Sequence, residues 1–112
     1  MIYLCNAFSI QMLASFDHAQ VNLDAITRKE FLDMLKGGEW QSAIGHADTA
    51  AVLSDMFWLD IPANRVDVKL TDKDTLLVCQ LIGGRLPEGS KELPTGFTFK
   101  LFKVRVDYHT EL

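Results

Sequence analysis

Between Leu76 and Ile82 the chain runs Leu-Leu-Val-Cys-Gln-Leu-Ile, apolar on both parities apart from Gln80. A strand with one face in water alternates apolar and polar residues. A strand apolar on both parities has to be covered on both sides. The run therefore predicts a central strand inside a layered domain. At 112 residues the chain has room for one such domain, spanning 1–112, and not for two of ordinary size.

The other segments supply the layers. Residues 1–5, Met-Ile-Tyr-Leu-Cys, read as a short buried strand. Ser9 stands where it can cap a short helix from Ile10 to Ala14. Val21, Leu23 and Ala25 alternate within a strand over Gln20–Ile26. Thr27-Arg28-Lys29-Glu30 is a capping box, followed by Phe31, Leu32, Met34 and Leu35 at helical spacing and a stop at Gly37-Gly38. Trp40 to Ile44 reads as extended or loop.

A second helix is predicted over 48–58 from the stripe Ala47, Ala50, Ala51, Leu53 and Phe57. Asp48 or Thr49 would cap it, and Pro62 would prevent its continuation. Val66, Val68 and Leu70 alternate with Arg65, Asp67 and Lys69, which predicts a strand ahead of a Thr71-Asp72-Lys73-Asp74 turn. From Phe97 to Tyr108 the alternation changes phase after Leu101, and a β-bulge near 101–102 would restore one buried face. The expected architecture is α/β, a single small domain with about five strands in a mixed sheet flanked by two or three helices.

Charge narrows the function classes. The formal net charge is −4, so a broad basic face for duplex nucleic acid is not expected. Residues 1–60 carry three basic and eight acidic side chains, whereas residues 61–112 carry eight and seven. A site for a small anion would therefore draw its cations from the second half. No run approaches the roughly 18 apolar residues of a membrane span, and no basic region precedes an apolar stretch as in a secretory signal. A cytoplasmic protein is expected, with no membrane partner. Cys5 and Cys79 sit in apolar runs and read as buried thiols. His18, His46 and His109 show no paired metal spacing, so neither a metal nor another cofactor is expected.

The polar candidates are few. His46 follows Gly45 at the start of a predicted helix, where a side chain can face a ligand or bond backbone. Gln80 is the one strongly polar side chain in the central strand, and a buried amide there needs backbone or ligand partners. Gly83-Gly84-Arg85-Leu86-Pro87-Glu88-Gly89 follows that strand; it suits either a ligand loop or a hairpin with a surface ion pair. Arg65 suits an anion site or a solvated face. Asn6, Ser9, His46, Arg65 and Arg85 together suggest an anion pocket without naming the anion.

Four short segments carry a resemblance to a known family: Asn6-Ala7-Phe8-Ser9-Ile10, Ala43-Ile44-Gly45-His46, Asn64-Arg65-Val66, and Gln80 with Arg85-Leu86-x-Glu88-Gly89. In this order and spacing they resemble the type III anti-CRISPR ring nucleases, small viral and prophage proteins. The resemblance implies a homodimer binding cyclic tetra-adenylate across its two-fold axis and cutting it without metal. A ribose 2′-hydroxyl attacks the adjacent phosphate, leaving linear di-adenylate with 2′,3′-cyclic phosphate ends. His46 matches the family's catalytic histidine, suited as the general acid for the departing 5′-oxygen.

By the same resemblance, Arg65 and Arg85 would hold phosphates, and Asn6, Ser9 and Gln80 would bond phosphate, ribose or base. Glu88 would orient or contact the ribose. Gln11 stands where relatives often carry Asn, which puts a ligand contact there in doubt, and Gly83-Gly84 would loosen the covering loop. Two other functions compete: a protein that sequesters the cyclic messenger uncut, and an interaction protein whose polar residues only support the fold.

Overall fold

The computed structural model describes residues 1–14 and 18–109. Its elements follow in the order β1 (Ile2–Cys5), β2 (His18–Ala25), α1 (Arg28–Lys36), β3 (Trp40–Ser42), α2 (Ala47–Phe57), β4 (Thr75–Ile82) and β5 (Thr98–His109), with a one-turn 3-10 helix at Ile10–Met12. The strands form one mixed sheet in the order β2-β5-β4-β1-β3. β1 pairs in parallel with both β3 and β4, while β5 runs antiparallel to β4 and β2.

β4 is the central strand that its apolar run requires. Leu77 and Cys79 enter a core with Leu4, Phe31, Leu35, Leu53 and Phe57, so both helices cover that face. Leu76 and Val78 enter a second core on the opposite face, with Val68, Leu70, Val104 and Val106. Burial pushes the Cys79 thiol up to about 12. Cys5 and Cys79 are both free and buried.

Local chemistry sets the helix ends. The capping box of α1 is complete, with the Glu30 N–H donating to Thr27 Oγ1 at 3.1 Å and the Thr27 N–H donating to Glu30 Oε1 at 3.0 Å. Such a cap is worth about 1 kcal/mol. α2 departs from expectation at its N-cap and ends where expected. His46, rather than Asp48 or Thr49, is its N-cap, and it closes at Trp58 in the left-handed region, φ 53°, before Pro62 is reached.

Two predicted strand features are corrected. The five strands include Trp40–Ser42 and exclude the alternating segment from Val66 to Leu70. That segment lays Val68 and Leu70 on the second core, with Val66 left exposed. Its partner is the 3-10 turn: a single bridge joins Leu13 to Leu70, and the Leu70 N–H donates to the Met12 carbonyl at 2.7 Å. The alternation was a record of burial on one side, which a chain packed on a sheet shows as well as a strand within one.

β5 contains no bulge. Its pairing with β4 runs without a skipped residue through Leu101 and Phe102, and its pairing with β2 does so from Phe102 to His109. The change of phase arises because Phe99 and Leu101 face the helix-side core and Val104 and Val106 face the other. One regular strand serves two cores on opposite faces.

Candidate functional site

Parallel strands bring their carboxyl ends to the same edge of a sheet, and ligands of open α/β folds settle there. Here β1 lies between β3 and β4 and pairs in parallel with both. The chain leaves β1 through Asn6, leaves β3 toward His46, and leaves β4 through Gly83 to Gly89. Between these exits lies a cleft of about 810 Å³, lined by Asn6, Ala7, His46, Asp48, Thr49, Gln80, Leu81, Gly84, Arg85, Leu86, Pro87 and Glu88.

His46 is placed by a clamped strand exit. The Ala43 N–H donates to the Leu4 carbonyl at 2.8 Å, extending the β1–β3 pairing by one step. Ser42 Oγ donates to the Pro62 carbonyl at 2.6 Å and accepts the Ile44 N–H at 3.3 Å. Asn64 grips the same stretch, its side-chain amide on the Ser42 carbonyl and its N–H on the Ile44 carbonyl, both at 2.7 Å. Residue 46 is then extended, φ −120° and ψ 132°, and its carbonyl accepts the Ala50 N–H at 3.0 Å. The imidazole is exposed and forms no cap hydrogen bond. The first-turn amides of α2 thus open beside the cleft with the histidine side chain unspent on them.

Five predicted site residues meet in the cleft: Asn6, His46, Gln80, Arg85 and Glu88. Ser9, Gln11 and Arg65 lie outside its lining. Ser9 caps the 3-10 turn, its hydroxyl accepting the Gln11 N–H at 3.3 Å, and the Gln11 carbonyl accepts from Lys69 Nζ. Arg65 is exposed and lies beside Gly45, its Nε 3.6 Å from where a β-carbon on that glycine would stand. It therefore flanks His46 without entering the cleft.

Gln80 corrects the expectation of a buried amide. It is exposed near the end of β4, where the helix-free face of the sheet is no longer covered. It also lines a second, more apolar cavity of about 320 Å³ with Phe8, Leu23, Val78, Ile82, Lys100, Phe102 and Val104. Leu23 and Ile82 are 56% and 40% exposed on this face. Arg85 and Glu88 are both exposed, and no ion pair joins them.

Asp48 belongs to the cleft, although its sequence position suggested only a cap. Its Oδ2 accepts the Gly89 N–H at 3.0 Å and ties the 83–89 loop to the first turn of α2. Nothing in the sequence pairs two residues 41 positions apart, so no local signal could have found this contact. Among the described residues no three His, Cys, Asp or Glu side chains cluster as metal ligands, and no helix is long and apolar enough to cross a membrane.

Comparison with known proteins gives consistent relatives. B116 of Sulfolobus turreted icosahedral virus has the same fold, with a TM-score of 0.76 and 28% identity, over 93% of this chain and 97% of that one. Uncharacterized protein 26 of Sulfolobus islandicus filamentous virus (isolate Iceland/Hveragerdi) is 30% identical over 93% of this chain and 92% of its own length. Uncharacterized protein ORF116 of Acidianus filamentous virus 1 (isolate United States/Yellowstone) is 32% identical over 95% of this chain and 91% of its own. Residues 2–96 match the STIV B116-like description, and the chain belongs to that family, which has members in these viruses.

Proposed function

We propose that this protein is a metal-independent ring nuclease that binds cyclic tetra-adenylate and cuts it to linear di-adenylate, antagonising type III CRISPR immunity in the host cytoplasm. One observation carries the reading. A histidine whose side chain takes no part in capping its helix shares a cleft with Arg85, Glu88, Gln80 and Asn6. The resemblance of the sequence to that enzyme family runs through these same residues.

The chemistry asks little of such a site. The substrate supplies the nucleophile: its 2′-hydroxyl forms a bond to the adjacent phosphorus and loses its proton to water. The bond from phosphorus to the 5′-oxygen breaks, and the imidazolium of His46 gives that oxygen a proton. The products carry 2′,3′-cyclic phosphate and 5′-hydroxyl ends. The remaining task is alignment and charge stabilisation. Arg85 offers a planar fork of donors to a phosphate, and the free amides at the start of α2 add a favourable dipole. Glu88 would hold the ribose, with Gln80 and Asn6 on phosphate or base. Arg65 beside Gly45 would meet a phosphate extending past the rim.

A second copy of the chain completes the reading. Phe8, Leu23, Ile82 and Phe102 leave an open apolar face that reaches the cleft at Gln80. Two such faces packed about a two-fold axis would set two clefts around one four-fold ring, each His46 serving one of two opposite phosphates.

The test is incubation with cyclic tetra-adenylate in excess EDTA, followed by chromatography of the products. Linear di-adenylate with cyclic phosphate ends is expected, and His46→Ala should slow its appearance by roughly 10²–10⁴ while leaving binding largely intact. Tight binding of an uncut ring would make the protein a sponge for the messenger. An absence of binding would remove the nucleotide reading altogether.

A further inference from the structure

The loop over the cleft is fixed at two points of different kinds. At its start Gly83, φ +151°, lies against the Phe97 ring, so closely that a β-carbon there would stand 2.7 Å from it. At its far end the Gly89 N–H is held by Asp48 Oδ2 at 3.0 Å. Gly84 and Gly89 take φ of +102° and +80°, and a β-carbon at either would meet nothing within 4 Å. Ser90 closes only a local turn, its N–H and hydroxyl both meeting the Pro87 carbonyl. Among the described residues, the Asp48 bond is the hydrogen bond that links the loop to α2.

Asp48 is also an oddity of charge. A carboxylate in the first turn of a helix is favourable to the helix. On the wall of a cleft that takes phosphates it is unfavourable to the ligand, because like charges repel there. Asp48 nevertheless lines that wall, and its carboxylate is engaged there by the Gly89 N–H.

We propose that Asp48 is a positioning residue that anchors the 83–89 loop, so that Arg85 and Glu88 are presented to the same cleft as His46. What the loop encloses rests on the ring-nuclease reading, whereas the tether itself does not. The acceptor oxygen is the working part and the negative charge is incidental. Asp48→Asn keeps an acceptor and removes the charge; Asp48→Ala removes both.

Amide hydrogen exchange on the ligand-free protein reads the tether directly. In Asp48→Ala the Gly89 amide should exchange about tenfold faster or more, and in Asp48→Asn it should stay near the parent rate. With cyclic tetra-adenylate as probe, Asp48→Ala should raise KM about tenfold with a smaller change in kcat, while Asp48→Asn should match or lower the parent KM. Unchanged Gly89 exchange in Asp48→Ala overturns the proposal. So does an Asn variant that behaves like Ala, since that assigns the effect to the charge on α2. If the parent neither binds nor cuts the ring yet the exchange pattern appears, the tether stands and the ring-nuclease reading falls.

Discussion

The Phe97 ring occupies the space where a side chain on Gly83 would begin, with its Cγ 2.7 Å from the β-carbon position and both Cδ atoms at 2.9 Å. Gly83→Ala must therefore displace the ring and also hold alanine at a φ that L residues rarely adopt. We expect a loss of about 1–3 kcal/mol in urea unfolding. Adding Phe97→Ala should recover part of that loss, a non-additivity that a double-mutant cycle measures directly.

Arg85 is exposed at the cleft and has no ion-pair partner among the described residues, so its donors are available to a phosphate. Arg85→Lys keeps the charge and loses the planar fork, whereas Arg85→Ala loses both. Affinity for cyclic tetra-adenylate, read by calorimetry, should fall about tenfold for Lys and further for Ala. Melting temperatures should stay near the parent value. Equal affinity in all three proteins would remove Arg85 from the site.

Asp74 is a carboxylate under opposed influences. Burial alone would raise it, but the Thr71 N–H at 2.8 Å, the Thr71 hydroxyl at 3.0 Å and the Met1 amino group at 3.3 Å hold it below its ordinary value of 3.8. A folded value below the unfolded one means that its stabilisation is complete above pH 3.8 and is lost as pH falls through the folded value. Asp74→Ala should cost about 1–3 kcal/mol at pH 7, and the gap to the parent should narrow below pH 3.8. Denaturant titrations at pH 7 and pH 3 test both halves of the expectation.

Leu23 is 56% exposed on the open sheet face beside Ile82. Leu23→Glu should be tolerated by the fold, because the position faces outward on the edge strand β2. If that face packs on a second copy, the substitution buries a charge at the interface and should shift sedimentation from dimer to monomer. Parent and variant sedimenting alike as monomers would leave the apolar face without this partner.

Legibility in the sequence followed the range of each interaction. The α1 capping box and the two-sided burial of Leu76–Cys79 depend on neighbours or on composition within one element, and both were readable. The segment from Val66 to Leu70 showed strand-like alternation because Val68 and Leu70 are buried, yet alternation does not reveal whether the backbone pairs inside a sheet. Gln80 was expected to be buried because its strand is, but the cover over β4 ends before that residue. The edge strand Trp40–Ser42, three residues long, is set by its pairing with β1 and carries too few residues to show a period.

The candidate site was legible to the same extent. Asn6, His46, Gln80, Arg85 and Glu88 lie in segments that a family resemblance can bring together, and the fold places all five around one cleft. Asp48 was missed because its partner is an amide on a distant loop, and a main-chain donor leaves no mark on side-chain identity. Arg65 stands just outside the lining, held beside Gly45 by the same 62–64 segment that clamps the exit of β3.

The regularity of β5 bears on how the molecule comes apart. Within four residues it passes from Leu101 in the helix-side core to Val104 in the opposite one, with its ladders to both neighbours intact. Neither layer can be peeled from the sheet without stripping one side of a strand on which the other depends. The two layers should therefore melt in a single cooperative event, with the amides of β4 and β5 the last to exchange.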